Sequence, residues 1–152
     1  MVISGPSGVG KDATLERMHS LERLWHFVVT VTTRPIRRGE INGRDYIFVT
    51  SQEFEHMLKR GEFLEHATVY GYHYGVLRTQ IRNGLDCGKD VILKVDVQGV
   101  VTLKRLVTDA IFVFIVPPSL KELTRRLRKR STEGKDKLNI RLNMARQEME
   151  YA

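Results

Sequence analysis

Residues 1–14 read Met1-Val-Ile-Ser-Gly5-Pro-Ser-Gly8-Val-Gly10-Lys11-Asp12-Ala-Thr14: a short apolar stretch, a glycine-rich turn, a lysine, then a helical pattern. Gly5, Gly8 and Gly10 let the backbone turn its N–H groups inward around an anion, and Lys11 supplies a point charge for outer phosphates. The stretch therefore reads as a phosphate-binding loop. It departs from G-x-x-x-x-G-K-[ST] at the last position, where Asp12 replaces the hydroxyl residue that would hold Mg²⁺. A chance glycine-rich turn is the other reading, and the strand-loop-helix context argues against it.

The chain has 152 residues, 41% hydrophobic and 28% charged, enough for one core with a small inserted lobe. A single cysteine, Cys87, excludes an internal disulfide and points to a reducing compartment. No apolar run approaches the roughly 20 residues that cross a bilayer, so no membrane role is expected. The net charge of +7 suits a nucleic acid, a membrane surface or a polyanionic small molecule. Its distribution favours the last. Basic residues gather at Arg34, Arg37, Arg38 and Arg44 and again over 121–130, where six of ten are Lys or Arg. Neither group has the interleaved aromatics of a single-strand binder, so no nucleic-acid partner is expected. A solvated helix face is the other reading of the second group.

Apolar spacing at Leu15, Met18, Leu21 and Leu24 predicts a helix over 11–24, and the β-branched run 27–32 predicts a strand. Between 33 and 84, glycines, the short alternating pieces 46–49 and 64–70, and one helix near 51–59 suggest an inserted mixed lobe. Residues 91–96 and 111–116 read as buried strands of a parallel sheet. Helices are expected near 99–107, from Ser119 into the basic cluster, and from about 137, with a break at 131–134. The fold class expected is α/β: a three-layer phosphate-loop NTPase core (1–32 and 85–152), a lobe (33–84), and a helical lid near 125–141.

Arg34 and Arg37, three residues apart on a turn stiffened by Pro35, can converge on one phosphate through their planar forks. Tyr46 and Tyr74 can each donate a phenolic hydroxyl to it, or can be packing residues of the lobe. Glu65, in an otherwise apolar segment, can face a ligand N–H pair.

Taken together, Gly5 to Lys11, then Thr32-Thr-Arg-Pro-x-Arg-x-Gly-Glu-x-x-Gly-x-Asp-Tyr46-x-Phe, Gly61-Glu-Phe-Leu-Glu65, Tyr74-Gly75 and Asp96-Val-Gln-Gly99 resemble the guanylate kinase family, in order and over essentially the whole chain. The resemblance implies a GMP and ATP phosphotransferase that uses Mg²⁺. It implies that Gly5, Ser7, Gly8, Val9, Gly10, Lys11, Asp12 and Ala13 bind the ATP phosphates. Arg34, Arg37, Tyr46 and Tyr74 would then hold the GMP phosphate, while Glu65 pairs with the guanine N–H and NH₂ edge and Thr30 contacts the base. Val76 and Asp96 complete the implied GMP set, and the candidate metal residues are Asp12 and Asp96, with Asp96 alone as the alternative. Lys11, Arg34, Arg126, Arg130 and Arg141 are implied in catalysis, the last three closing from the lid. A monomer or weak homodimer in the cytoplasm is expected, with a plastid or mitochondrion after transit-peptide removal as the alternative.

Four departures stand out. Asp12 resembles the Gly-Lys-Asp variant of organelle-type members. Lys94 replaces an acid that most members carry two residues before Asp96, and Val76 stands where Ser or Thr is usual. Members of the family also continue beyond Tyr151-Ala152 with a strand and a closing helix, so that segment is expected to be absent here and the activity of the shortened chain stays open. Two competing readings are a ribose bisphosphate kinase, which shares the loop aspartate and Tyr-Gly-Val, and a non-catalytic phosphopeptide-binding module. The block from Arg34 to Tyr46 argues against the former, and the intact loop against the latter.

Overall fold

The computed structural model describes residues 1–21, 23–130 and 135–151, with backbone only at 129, 130, 135–139 and 141. The chain runs through β1 (Val2–Ser4), α1 (Lys11–His19), β2 (Trp25–Phe27), β3 (Val31–Thr32), β4 (Ile47–Phe48) and α2 (Ser51–Lys59). It continues through β5 (Phe63–Val69), β6 (Tyr72–Leu77), α3 (Arg78–Asp86), β7 (Asp90–Lys94), α4 (Val97–Leu106), β8 (Phe112–Phe114), α5 (Leu120–Arg130) and α6 (Lys135–Met149). No helix among the described residues is long and apolar enough to cross a membrane.

Two sheets organise these elements. The first has strand order β2-β7-β1-β8 and is parallel throughout, with Val2 opposite both Leu93 and Phe112. Its central strands fit this, with Val2, Ile3, Val91, Ile92 and Leu93 all buried and Leu103 of α4 beside them, but the run 111–116 is not a buried strand: β8 lies at the sheet edge, and Ile111, Val113 and Val116 are exposed. Each such side chain contributes roughly 1.5–3 kcal/mol on burial. From β1 the chain crosses beyond β7 to reach β2, while β8 lies on the opposite side of β1. The turn after β1 therefore lies where the connections diverge, the usual place for ligands in a parallel α/β sheet.

The second sheet has order β4-β3-β6-β5, with β3 parallel to β4 and antiparallel to β6. Phe54 of α2 packs on it against Phe63, ring centroids 4.5 Å apart. Thr50 and Glu53 cap α2 reciprocally, satisfying donors that the first turn leaves open.

Several local expectations change. The run 27–32 is not one strand: Phe27 ends β2 in the first sheet, Val31 begins β3 in the second, and the chain passes between sheets at 28–30. α1 stops at His19 rather than near residue 24, and Leu21 and Leu24 are exposed. α3 was not expected, and the strand expected at 91–96 ends at Lys94 because Asp96 turns the chain to cap α4. The predicted break at 131–134 lies outside the described residues.

Candidate active site

At the carboxyl end of β1 the loop curls with positive φ at Gly5, Gly8 and Gly10, conformations that side chains disfavour, and feeds α1 at Lys11. Lys11 Nζ folds back onto the loop, donating to the carbonyls of Gly5 (2.5 Å) and Pro6 (3.2 Å). Burial pushes its pKa below the ordinary lysine value, partly countered by Glu148 and Asp12. The amides and lysine thus form an electropositive cup, ready for an anion at a helix N-terminus.

The cup opens into a cleft of about 630 Å³ shared by both sheets. Ser7, Gly8, Val9, Gly10, Lys11 and Asp12 line one end. Thr30, Arg34, Arg37, Tyr46, Glu65, Tyr74 and Val76 line the other, with Asp96 also on the wall. Gly5 and Ala13 are not among its lining residues. Most of the expected site is therefore one continuous surface, assembled from segments up to about 90 positions apart.

At the second-sheet end, Arg34 is buried and pre-aimed. Its Nη2 donates to Glu40 Oε1 at 2.7 Å, its Nη1 to the carbonyl of Pro35, and its guanidinium lies 5.3 Å from the Tyr46 ring centroid. Burial opposes its charge, but Glu40 outweighs that and raises its pKa; burial likewise opposes ionisation of Glu40, and Arg34 and the Arg37 amide pull its pKa down. Tyr46 and Tyr74 meet edge-on at 6.1 Å. Arg37 is exposed, with its backbone N–H on Glu40.

Glu65 on β5 sits deeper. It is 5% exposed, and its Oε1 has no hydrogen-bond partner. Gly99 of α4 permits this approach, because a Cβ there would stand 2.9 Å from the carboxylate. Burial, helped by the negative charge of Asp96, pushes the Glu65 carboxyl up to about 7. An orphaned acceptor at this depth calls for a ligand with N–H donors. Thr30 Oγ1 lies 3.4 Å from the Lys94 carbonyl, and Val76 is a core residue packed with Val28 and Leu103.

Helices α5 and α6 reach the loop from the other side. Leu123, Leu127 and Ala145 join α5 to α6 in a small core of their own. Arg126 Nη1 donates to the Val9 carbonyl at 2.6 Å and its Nε to Glu122. The side chains of Arg130 and Arg141 lie outside the described residues. Glu148 was missed by sequence reasoning, yet its Oε2 accepts the Ser7 N–H at 3.0 Å beside Lys11. Nothing local in the sequence marked it, since an acid near the end of a charged helix reads as solvated. Glu40 was missed as well, although an acid three residues after Arg37 in a glycine turn was a usable signal.

Comparison with known proteins agrees with this geometry. The guanylate kinase family model matches residues 1–152. Guanylate kinase 2, chloroplastic/mitochondrial, of rice is 47% identical over 150 residues, covering 98% of this chain and 53% of the relative. The guanylate kinase of Clostridium tetani is 44% identical over 151 residues, covering 99% of this chain and 72% of its own length. The chain thus spans about half the length of the rice relative and nearly three quarters of the bacterial one. The crystal structure of guanylate kinase from Anaplasma phagocytophilum superimposes with a TM-score of 0.77 at 35% identity, over 98% of this chain and 69% of that one. A phosphate loop, an arginine–tyrosine cluster and a buried carboxylate in one cleft, with likeness running the whole length of the sequence, place the chain in the guanylate kinase family.

Proposed function

We propose that this chain transfers the terminal phosphoryl group of ATP to GMP, giving ADP and GDP. One observation carries the reading: a single cleft joins the Lys11 cup to the unpaired carboxylate of Glu65 through Arg34, Tyr46 and Tyr74. A phosphate between the arginines and tyrosines would bring the acceptor oxygen towards the loop, while Glu65 takes the N–H and NH₂ of a guanine edge. Adenine offers no such donor pair, so the carboxylate would stay buried and unpaired with it.

Phosphoryl transfer asks the protein for position and charge rather than covalent chemistry. Lys11 and the loop amides would hold the donor phosphates, Arg34 and Arg37 the acceptor phosphate, and Arg126, already on the Val9 carbonyl, would meet charge developing between them. The core of Leu123, Leu127 and Ala145 joins α5 to α6 beside the loop, and a lid closing there would keep water from the cup.

Among the described residues no group of three or more His, Cys, Asp or Glu could hold a metal by itself. Mg²⁺ takes one or two carboxylates and completes its shell with water and phosphate oxygens. Asp96, on the cleft wall, would hold it directly, and Asp12, whose Oδ1 takes the Lys94 ammonium, would do so through water. When bound, the ion would neutralise phosphate charge and orient the donor. The proposed setting is the cytoplasm, as a monomer or weak homodimer, and an organelle is the alternative that the rice relative's description supports.

The test is ADP formation from ATP and Mg²⁺ with GMP, with AMP and with no acceptor. ADP that depends on GMP and not on AMP is the expected result. Equal use of both acceptors would remove the role given to Glu65, and acceptor-independent ADP would remove the transferase.

A further inference from the structure

Lys94 ends β7, and its neighbour on β1 is Ile3, so its side chain emerges one strand away from the phosphate loop. The Nζ lies 2.8 Å from Asp12 Oδ1 and 4.4 Å from the centroid of the Tyr46 ring. The lysine side chain is 14% exposed and the aspartate 54%. One ammonium therefore spans the loop end and the tyrosine end of the cleft.

The two positions make sense as a pair. A carboxylate in the first turn of α1 suits the helix dipole but repels a polyphosphate seated on the same N-terminus. A buried lysine two residues before Asp96 would be costly without an acid in reach. Each residue removes the other's difficulty. An ammonium also has three N–H donors, so bonding to Asp12 and Tyr46 leaves one for an anion.

We propose that Lys94 is a phosphate-positioning residue at the junction of the two halves of the cleft, aimed by Asp12 and masking its charge from the donor phosphates. The proposal rests on the donor-site reading of the loop. It gives the pair a specific duty: Lys94 offsets the charge of Asp12 beside a polyphosphate, and loss of Lys94 removes a cation that faces both.

The test is a double-mutant cycle read by binding of inorganic tripolyphosphate to the full chain, followed calorimetrically in metal-free buffer. Lys94→Met should weaken binding about tenfold or more, as expected for uncovering a charge held by a partly buried partner. In an Asp12→Asn background the same change should cost no more than about threefold, giving a clear coupling. Lys94→Arg should restore most of the affinity. The same Lys94 effect in both backgrounds would overturn the proposal. Should Lys94→Met fail to fold, Lys94→Gln takes its place in the cycle: a larger loss in the parent background than in Asp12→Asn supports the pair, and an equal loss in both refutes it. Tripolyphosphate binding to the parent no better than to Lys11→Ala would sink the donor-site reading and the pair with it. Parent binding indifferent to Lys94 would sink the pair only.

Discussion

Glu65 shows how one residue can link recognition to pH. In the unliganded fold its carboxyl titrates at about 7, against 4.5 unperturbed, because burial and the nearby Asp96 disfavour the ionised form. Guanine presents two donors, so only the carboxylate can accept both; a protonated Glu65 offers a donor of its own to a donor edge. Guanosine affinity is therefore expected to rise with pH through about 7 and level off above it. Guanosine, lacking phosphate, keeps the ligand's own phosphate ionisation out of the measurement. Stability runs the other way. A folded-state pKa above the unfolded one stabilises at low pH, and that contribution is lost between 4.5 and 7, amounting to about 3 kcal/mol. Glu65→Gln should consequently flatten both profiles and lose discrimination between guanosine and adenosine. Parallel melting-temperature profiles for parent and variant across that window would show that Glu65 is not the titrating group. At this scale the sequence was generous where a motif was contiguous: Gly61-Glu-Phe-Leu-Glu65 placed the carboxylate on a strand beside apolar residues. It was silent where function depends on two remote side chains meeting. Lys94 could be marked as a departure from a family pattern, but its pairing with Asp12, 82 positions away, exists only once β7 lies beside β1.

Among the elements, α5 and α6 pack on each other and reach the phosphate loop from outside both sheets. Their own core is Leu123, Leu127 and Ala145, and their ties to the loop include Arg126 on the Val9 carbonyl and Glu148 on the Ser7 N–H. Glu148 is half-buried, and burial raises its pKa while the Ser7 amide and Lys11 pull it back. Leu127→Ala removes a buried side chain from a small cluster, which typically costs about 2–5 kcal/mol where the site cannot collapse. Because that loss falls on a lid packed against itself and the loop, the expected result is local. The turnover number should drop at least about tenfold while GMP affinity stays within about twofold, since Arg34 and Glu65 belong to the second sheet. Steady-state kinetics with a GMP titration separates the two, and equal losses would mean that lid and lobe act as one cooperative body. Element boundaries were less legible than element types. The β-branched run 27–32 carries one periodicity although its ends join different sheets, and no local signal shows that change of partner. α3 escaped notice because Asn83 and Gly84 are poor helix formers, and tertiary packing overrides them.

On the scale of the whole molecule, the net charge of +7 is a property that the sequence states outright, whereas the fold decides where it acts. Lys11, Arg34, Arg37, Arg38 and Lys94 all line the single cleft, brought there by the carboxyl ends of the parallel strands and by the sheet beside them. Acids line it too, but Glu40 is paired with Arg34 and Asp12 with Lys94, so a phosphate entering the cleft meets cations held in place by their partners. Such a field raises the encounter rate with anions, and dissolved salt screens it over roughly 10 Å at 0.1 M. The association rate of GMP is therefore expected to fall several-fold as ionic strength rises from about 0.05 to 0.5 M, and guanosine association to change little over the same range. Stopped-flow fluorescence of the single tryptophan, Trp25, or of a labelled nucleotide would follow both. Equal salt dependence for the two ligands would assign the effect to the protein rather than to the phosphate, and would remove electrostatic guidance as the reason for the basic cleft. A steep dependence for GMP alone, reduced in an Arg37→Ala variant, would tie the composition of the chain to the way its acceptor arrives.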